Sequence, residues 1–400
     1  MSLLLWVAVA HAGEVDGFAE LRVQAYAGVD ADVPLFVVER LRPTFSGELS
    51  DRVVLTTTIE AGLGQGWTVQ RGLENLVDQE ALSPLILDAL GVEETENDAL
   101  RVSADEDYLA VDRLHVELLL KHADIRIGRQ ALNWGSGFVV NPSDPFPEVL
   151  LTEPWKPRSG MNAVRVDVPI GDLNGAQLVI GSDDAFTHPR LAGRLTANWL
   201  ETDWSLVSAW REEVDETIVG ADIKGTLGVG FWFEGVAHIP QDGPATEELV
   251  VGLDYSFPVL QQLILTGQYY RNGAGADDPV SADLFAERTA FAPAFSGRDY
   301  AMASVVAGLT RDVSTSMLWM QNLGDATAFA VPSLATVIRD NFEVSLAAQL
   351  PIAFSDGGEF KPRADDLVVV LPTEESTVKE VDLGTVVPDA TIIVWSRVNF

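Results

Sequence analysis

Polar and apolar residues alternate with a period of two along most of the chain beyond residue 13. Arg113, His115 and Glu117, for example, are separated by a leucine and a valine. Alternation of this kind is the pattern of a β-strand with two different faces. It predicts eighteen strands, at 14–28, 33–45, 51–63, 107–121, 123–133, 161–170, 175–182, 190–200, 203–212, 216–224, 226–238, 247–257, 261–271, 298–310, 312–322, 339–350, 364–371 and 390–400.

Alternation alone fits both a soluble sandwich and a membrane barrel, but the connections favour the barrel. Short turns such as 121–122 alternate with long connections such as 64–106 and 323–338, the arrangement found in outer-membrane barrels. The last strand ends on Phe400, which resembles the signal that the barrel insertion machinery reads. We therefore predict an all-β, transmembrane, antiparallel up-and-down β-barrel. Because both ends lie on one side, its strand number must be even, and sixteen is the alternative to eighteen.

The N-terminus has the pattern of a secretory signal peptide. An apolar run at residues 3–10 is followed by small residues at Ala10 and Ala12, although no lysine or arginine precedes it. A buried first strand is the alternative. We predict a signal peptide at 1–12 and a single barrel domain at 13–400, located in the outer membrane of a Gram-negative bacterium after secretion across the inner membrane.

Composition excludes several other classes of protein. The 400 residues carry a formal net charge of −34 and contain no cysteine. This charge argues against nucleic-acid binding, and the lack of cysteine excludes disulfides and thiolate metal sites. Ten of the 60 acidic side chains lie in the predicted external loop 64–106, where helical spacing between Gly72 and Leu90 predicts an extracellular helical insertion. Such acidic runs usually serve solvation; cation binding at the lipopolysaccharide surface is the alternative.

Arginines on the predicted strands are the candidate pore residues. A charge on the lipid face near mid-membrane costs about 2–4 kcal/mol, so these side chains should face the lumen. Asp144 and Glu148 lie on the long loop 134–160, which we predict to fold inward as a constriction and to face the arginines. The alternative is that the arginines pair with wall acids such as Glu60 and Glu117 to satisfy a packed interior. The candidate wall residues are Arg22, Arg42, Arg113, Arg126, Arg165 and Arg194.

The most distinctive stretch runs from residue 124 to residue 146. Its motif residues are Gly128, Arg129, Gln130, Trp134, Gly135, Asn141 and Pro142, followed by Asp144. This motif resembles that of large porin-like outer-membrane barrels, including the alginate-export type and its uncharacterised relatives. The resemblance implies transport but not the transported solute. A motif that serves only rim packing and folding is the alternative.

No enzyme signature accompanies this pattern. The chain has five histidines and lacks the His-Glu-x-x-His, Gly-x-Ser-x-Gly and phosphate-loop motifs. We therefore predict no catalysis, no cofactor and no metal, and a channel for diffusion or facilitated export of small polar or amphipathic solutes. The alternatives are a plugged barrel with a structural, adhesive or assembly role, and a barrel hydrolase using His115. Expected partners are outer-membrane lipid, lipopolysaccharide, the insertion machinery and the solute; homo-oligomerisation stays open.

Overall fold

The computed structural model describes residues 13–68, 101–104, 107–146, 157–182, 186–276, 295–361, 368–372, 378–382 and 387–400. These residues form β-strands joined by turns and loops. The strands are β1 (Glu14–Ala27), β2 (Leu35–Ser50), β3 (Val53–Gly66), β4 (Arg101–Ala104), β5 (Asp107–Leu119), β6 (Asp124–Gln130), β7 (Met161–Ile170), β8 (Asn174–Ser182), β9 (Pro189–Trp199), β10 (Thr202–Arg211), β11 (Glu216–Thr226), β12 (Gly230–Pro240), β13 (Thr246–Phe257), β14 (Gln262–Asn272), β15 (Asp299–Gly308), β16 (Val313–Asn322), β17 (Thr327–Arg339), β18 (Phe342–Ala353), β19 (Val368–Pro372), β20 (Val378–Asp382) and β21 (Ala390–Asn399).

Eighteen of these strands form one closed antiparallel barrel, in which each strand pairs with the next around the wall. The barrel closes because β1 pairs with β2 on one side and with β21 on the other. At this seam, Gly17 and Phe400 exchange two backbone hydrogen bonds of 3.0 Å each. The short β4 pairs with β5, and β19 and β20 pair with each other in a separate two-stranded sheet. Among the described residues, no helix is long and apolar enough to span a membrane.

The two faces of the barrel wall differ in polarity, and the apolar face points outward. Leu195, Leu206 and Leu253 are each more than half exposed on the outer face. On the same face, aromatic side chains such as Trp199 and Tyr255 lie near the short turns. Because an outward apolar surface with an aromatic belt is the arrangement of a barrel immersed in lipid, the wall spans a membrane.

Short and long connections lie at opposite ends of the barrel, as the sequence predicted. The turns at 171–173, 200–201 and 340–341 lie at one end, where β1 begins and β21 ends. The connections 131–160 and 273–298 lie at the other end. The long loops therefore share one side of the membrane, opposite to both ends of the barrel-forming chain.

The predicted strand number is confirmed, but one predicted wall strand was wrong. Of the segment 364–371, residues 368–371 are described, and they belong to the separate β19–β20 hairpin. The missing wall strand is β17, in the region predicted as the connection 323–338. The helical insertion falls on residues 72–90 and the signal peptide on residues 1–12, both outside the described residues.

Candidate pore and constriction loop

The connection that follows β6 turns into the barrel, and its apolar side chains pack on the inner wall. Trp134 and Phe146 meet edge to face, with ring centroids 4.9 Å apart. With Leu132 they form a buried cluster against apolar residues on the lumen side of six neighbouring strands. The wall members of this cluster are Met161, Ala163, Val179, Ala192, Val207, Ala209, Ile218 and Val236. The inner wall therefore carries an apolar strip that accepts this loop.

Two glycines of the motif are required by the local backbone. Gly128 has φ 120°, and a Cβ there would lie 2.2 Å from the carbonyl oxygen of Leu114. Gly135 has φ 86°, and a Cβ there would lie 2.7 Å from the Cβ of Asn141. Both φ values lie in the region that favours glycine. Asn141 also accepts a 3.0 Å hydrogen bond from the backbone of Asp144, so this part of the motif builds a compact turn.

The remaining motif residues fix the base of the loop. Arg129, Gln130 and Pro142 are buried. Gln130 Nε2 donates a 3.1 Å hydrogen bond to the carbonyl oxygen of Ala163 on β7. Trp134 Nε1 donates to Gln177 on β8. The motif thus joins the end of β6 to the neighbouring wall and directs the loop into the barrel.

Polar contacts hold the loop tip, residues 135–143, against the wall. The Glu234 carboxylate on β12 accepts hydrogen bonds from the backbone of Ser136, Gly137 and Ser143, and from the Ser143 hydroxyl at 2.8 Å. The Ser136 hydroxyl donates to Asp222 on β11 at 2.7 Å. The sequence analysis did not predict Glu234 and Asp222 as loop contacts, although both lie on the polar face of their strands.

A second apolar cluster lies inside the barrel beyond the loop tip. Val140 packs with Tyr270, Tyr300 and Phe295, the last from the connection between β14 and β15. The rings of Tyr270 and Tyr300 are stacked with centroids 5.8 Å apart. Phe360, which comes after β18, packs against the same cluster. Aromatic packing therefore occupies the lumen beside β12–β16.

The opposite side of the lumen carries a chain of ion pairs rather than apolar packing. Glu20 on β1 pairs with Arg40 on β2 at 3.1 Å and with Arg397 on β21 at 2.6 Å. Arg42 pairs with Glu60 at 3.2 Å and also with Asp112. The candidate residue Arg113 continues the chain by pairing with Asp112 at 2.9 Å.

Three predicted arginines lie in a more open part of the wall. Arg126 pairs with Glu117 at 3.0 Å, and both side chains are 25% exposed. Arg165 pairs with Asp167 at 2.7 Å, with exposed fractions of 25% and 29%. Arg194 lies 3.5 Å from Asp222 and is 21% exposed. Water therefore reaches these paired charges on β5–β9. It also reaches Arg397 at the seam, which is 24% exposed, whereas its neighbours Glu20 and Arg40 are 1% and 4% exposed.

Asp144 does not face the wall arginines as predicted. It pairs with Arg158 of the same connection at 2.6 Å and accepts a 3.1 Å hydrogen bond from the backbone of Phe146. Burial raises the pKa of Asp144 to about 6, against the opposing effect of Arg158. The prediction that Asp144 faces the wall arginines is therefore corrected: it is a buried residue that shapes the loop. Glu148 lies outside the described residues, and Arg22 is buried on the lumen side of β1.

The candidate catalytic histidine has a structural environment. His115 Nδ1 lies 3.2 Å from the carbonyl oxygen of Arg129, next to the end of β6. In the described part of the chain, no three side chains of His, Cys, Asp or Glu are placed to hold a metal ion. His115 is therefore packed in the wall beside the loop motif.

The fold is shared with solved membrane proteins despite very low sequence identity. OccK11 of Pseudomonas aeruginosa has a TM-score of 0.58 at 7% identity, covering 96% of this chain and 95% of its own. OccAB4 of Acinetobacter baumannii has a TM-score of 0.59 at 7% identity, covering 97% and 98%. Wzi of Escherichia coli, described as a carbohydrate-binding outer-membrane β-barrel involved in capsule assembly, has a TM-score of 0.53 at 8% identity, covering 100% and 86%.

These neighbours are porin-like outer-membrane barrels. The chain has their fold.

No family model and no curated protein matches this sequence. The finer resemblance to alginate-export-type barrels stays a prediction.

Proposed function

We propose that this protein is an outer-membrane channel for diffusion or facilitated export of small polar or amphipathic solutes. The observation that carries the proposal is the asymmetric lumen. Loops and apolar side chains occupy the lumen beside β7–β16 toward the long-loop end, whereas paired charges with partial access to water line β5–β9 nearer the short turns. A solute path along the charged side explains why about a quarter of each of these side chains is exposed inside the barrel.

The charges on this path have both signs at the same level of the wall. Arg126 and Arg165 are direct neighbours across β6 and β7. Arg126 pairs with Glu117 on β5, and Arg165 pairs with Asp167 two residues along its own strand. Charged side chains that line a pore set its ion preference. Because the acids balance the arginines, removing the arginines should leave a cation-preferring path.

Reversal potentials in planar bilayers under a salt gradient test this proposal. We expect the double variant Arg126→Ala/Arg165→Ala to shift the reversal potential toward cation preference, because Glu117 and Asp167 lose their partners. Arg339→Ala is the matched control, because this arginine is exposed at the short-turn end of β17. Equal potentials for the double variant and the wild type would contradict a path along this wall.

The proposed location is the bacterial outer membrane, reached after secretion across the inner membrane. The outward apolar face and the closed barrel support this location. Phe400 lies at the seam beside Gly17, where insertion machinery reading the last strand would have to act before the barrel closes. Lipid and lipopolysaccharide are the proposed surroundings of the outer face.

A second candidate is a plugged barrel with a structural, adhesive or assembly role. It is favoured by the two buried clusters around Trp134 and Tyr300, which fill part of the lumen with loops. A folded barrel that shows no conductance in bilayers would support this candidate instead of the channel.

A further inference from the structure

The Glu234 carboxylate is buried inside the barrel, and among the described residues all its hydrogen-bond donors come from one loop. The residue has 0% exposure. Its two oxygens accept four hydrogen bonds, three from backbone N–H groups of the loop tip and one from the Ser143 hydroxyl. Four bonds match the acceptor capacity of one carboxylate. Among the described residues, no basic side chain lies within ion-pair distance of Glu234.

From this geometry we propose that Glu234 is the positioning residue of the constriction loop. Backbone N–H groups that converge in a turn form a site for an anion, and here the anion is a wall carboxylate. The turn that presents them depends on Gly135 and on the contact between Asn141 and Asp144. The loop motif and Glu234 are thus two halves of one contact, which sets how far the loop tip extends into the lumen.

Loss of this contact should release the tip without opening the wall. Glu234 lies on β12, whose backbone pairs with β11 and β13 independently of the side chain. The base of the loop is held separately, because Gly160 donates a 3.0 Å hydrogen bond to Asp112 and Arg113 donates to the carbonyl oxygen of Arg158. A variant at Glu234 should therefore fold as a barrel and differ from the wild type in the loop tip.

Cysteine labelling measures this release directly, because the native chain contains no cysteine. Val140→Cys places one thiol in the loop tip at a position that is 5% exposed when the tip is docked. A maleimide then reacts with the folded protein only while the tip is open, so the labelling rate rises with the fraction of time that the tip is open. Refolded barrels in detergent, checked by gel mobility without heating, are compared in this background.

We expect Glu234→Gln to accelerate labelling of the thiol about tenfold or more, because a neutral amide replaces the charged acceptor of several hydrogen bonds. Ser143→Ala removes one donor and should accelerate labelling by a smaller factor; it also serves if Glu234→Gln does not fold. The matched control is Glu216→Gln on β11, because Glu216 pairs with Arg211 and His238 and not with the loop tip. Equal rates for the Glu234 and Glu216 variants, or an unchanged rate for Ser143→Ala when Glu234→Gln does not fold, would overturn the proposal.

The consequence for transport rests on the proposed channel function. In a channel, release of the tip should give larger and noisier single-channel currents for Glu234→Gln than for Glu216→Gln. Equal current steps and noise for the two variants would overturn the role of Glu234 in setting the constriction. Absence of current from the wild type would overturn the channel, whereas the labelling rates would still decide whether Glu234 holds the loop.

Discussion

The ion pairs of Glu20 join the first and last strands of the barrel, and their loss should weaken its closure. Glu20 lies on β1, and its carboxylate is 1% exposed. It accepts two bonds from Arg397 on β21, at 2.6 and 3.1 Å, and two from Arg40 on β2, at 3.1 and 3.2 Å. The contact between Glu20 and Arg397 joins residues 377 positions apart, so it forms only when the seam is closed.

Replacement of Glu20 by alanine should lower the free energy of unfolding by about 3–5 kcal/mol, because two arginines lose a shared buried partner. The loss should be near the lower end of this range if water reaches the arginines, and Arg397 is already 24% exposed. Glu20→Gln keeps a hydrogen-bond acceptor but loses the charge, so its effect should be about half as large.

Equilibrium unfolding in urea, followed by tryptophan fluorescence of the refolded barrel in lipid vesicles, measures these differences. Glu48→Ala is the control, because Glu48 is exposed near the end of β2 and should change the free energy by no more than about 0.5 kcal/mol. A Glu20→Ala barrel as stable as this control would refute the idea that the ion pairs hold the seam.

Three further predictions concern the loop motif. Gly128→Ala should destabilise the folded barrel by about 1–3 kcal/mol in urea unfolding, because its positive φ leaves a Cβ against a backbone oxygen; unchanged stability would contradict this. Trp134→Ala should weaken loop docking by about 3–5 kcal/mol and speed proteolysis of the loop while the barrel keeps its unheated gel mobility; an equally resistant loop would contradict it. Asp144 has a pKa of about 6, raised from 3.8 by burial, so its contribution to stability is fully present below pH 3.8 and decreases as the pH rises through 6. Asp144→Asn should therefore gain up to about 3 kcal/mol relative to the wild type between pH 4 and pH 7 in urea unfolding, and a constant difference would contradict the raised pKa.

Most of the barrel could be predicted because each wall strand with a wet lumen face alternates polar and apolar residues. β17 was missed because its lumen face lies against the inward loops. Phe329 packs against the second apolar cluster, and Ala328 and Ala330 are buried, so apolar residues occur on both faces. Pro332 also interrupts the strand pattern, since proline cannot donate a ladder hydrogen bond. The sequence reached the required even number of strands by counting 364–371 as a wall strand. The described part of that segment belongs to the separate β19–β20 sheet and not to the barrel wall.

The candidate site was predictable in its residue types but not in its contacts. The sequence placed the arginines on strands correctly. Which acid pairs with each arginine depends on the register between strands, which the sequence pattern does not specify. Arg126 meets Glu117 because these residues are opposite each other on β5 and β6. Glu234 could not be found as the loop contact, because a carboxylate that binds backbone N–H groups across the lumen leaves no local sequence pattern.

Single-channel recording of the refolded wild-type protein in planar lipid bilayers tests the central claim most directly. If the proposed channel is correct, we expect stable open-current steps, because a path along the charged side chains of β5–β9 would pass beside the docked loop. A barrel that is folded by its gel mobility and inserted in the bilayer, but passes no current, would contradict the channel.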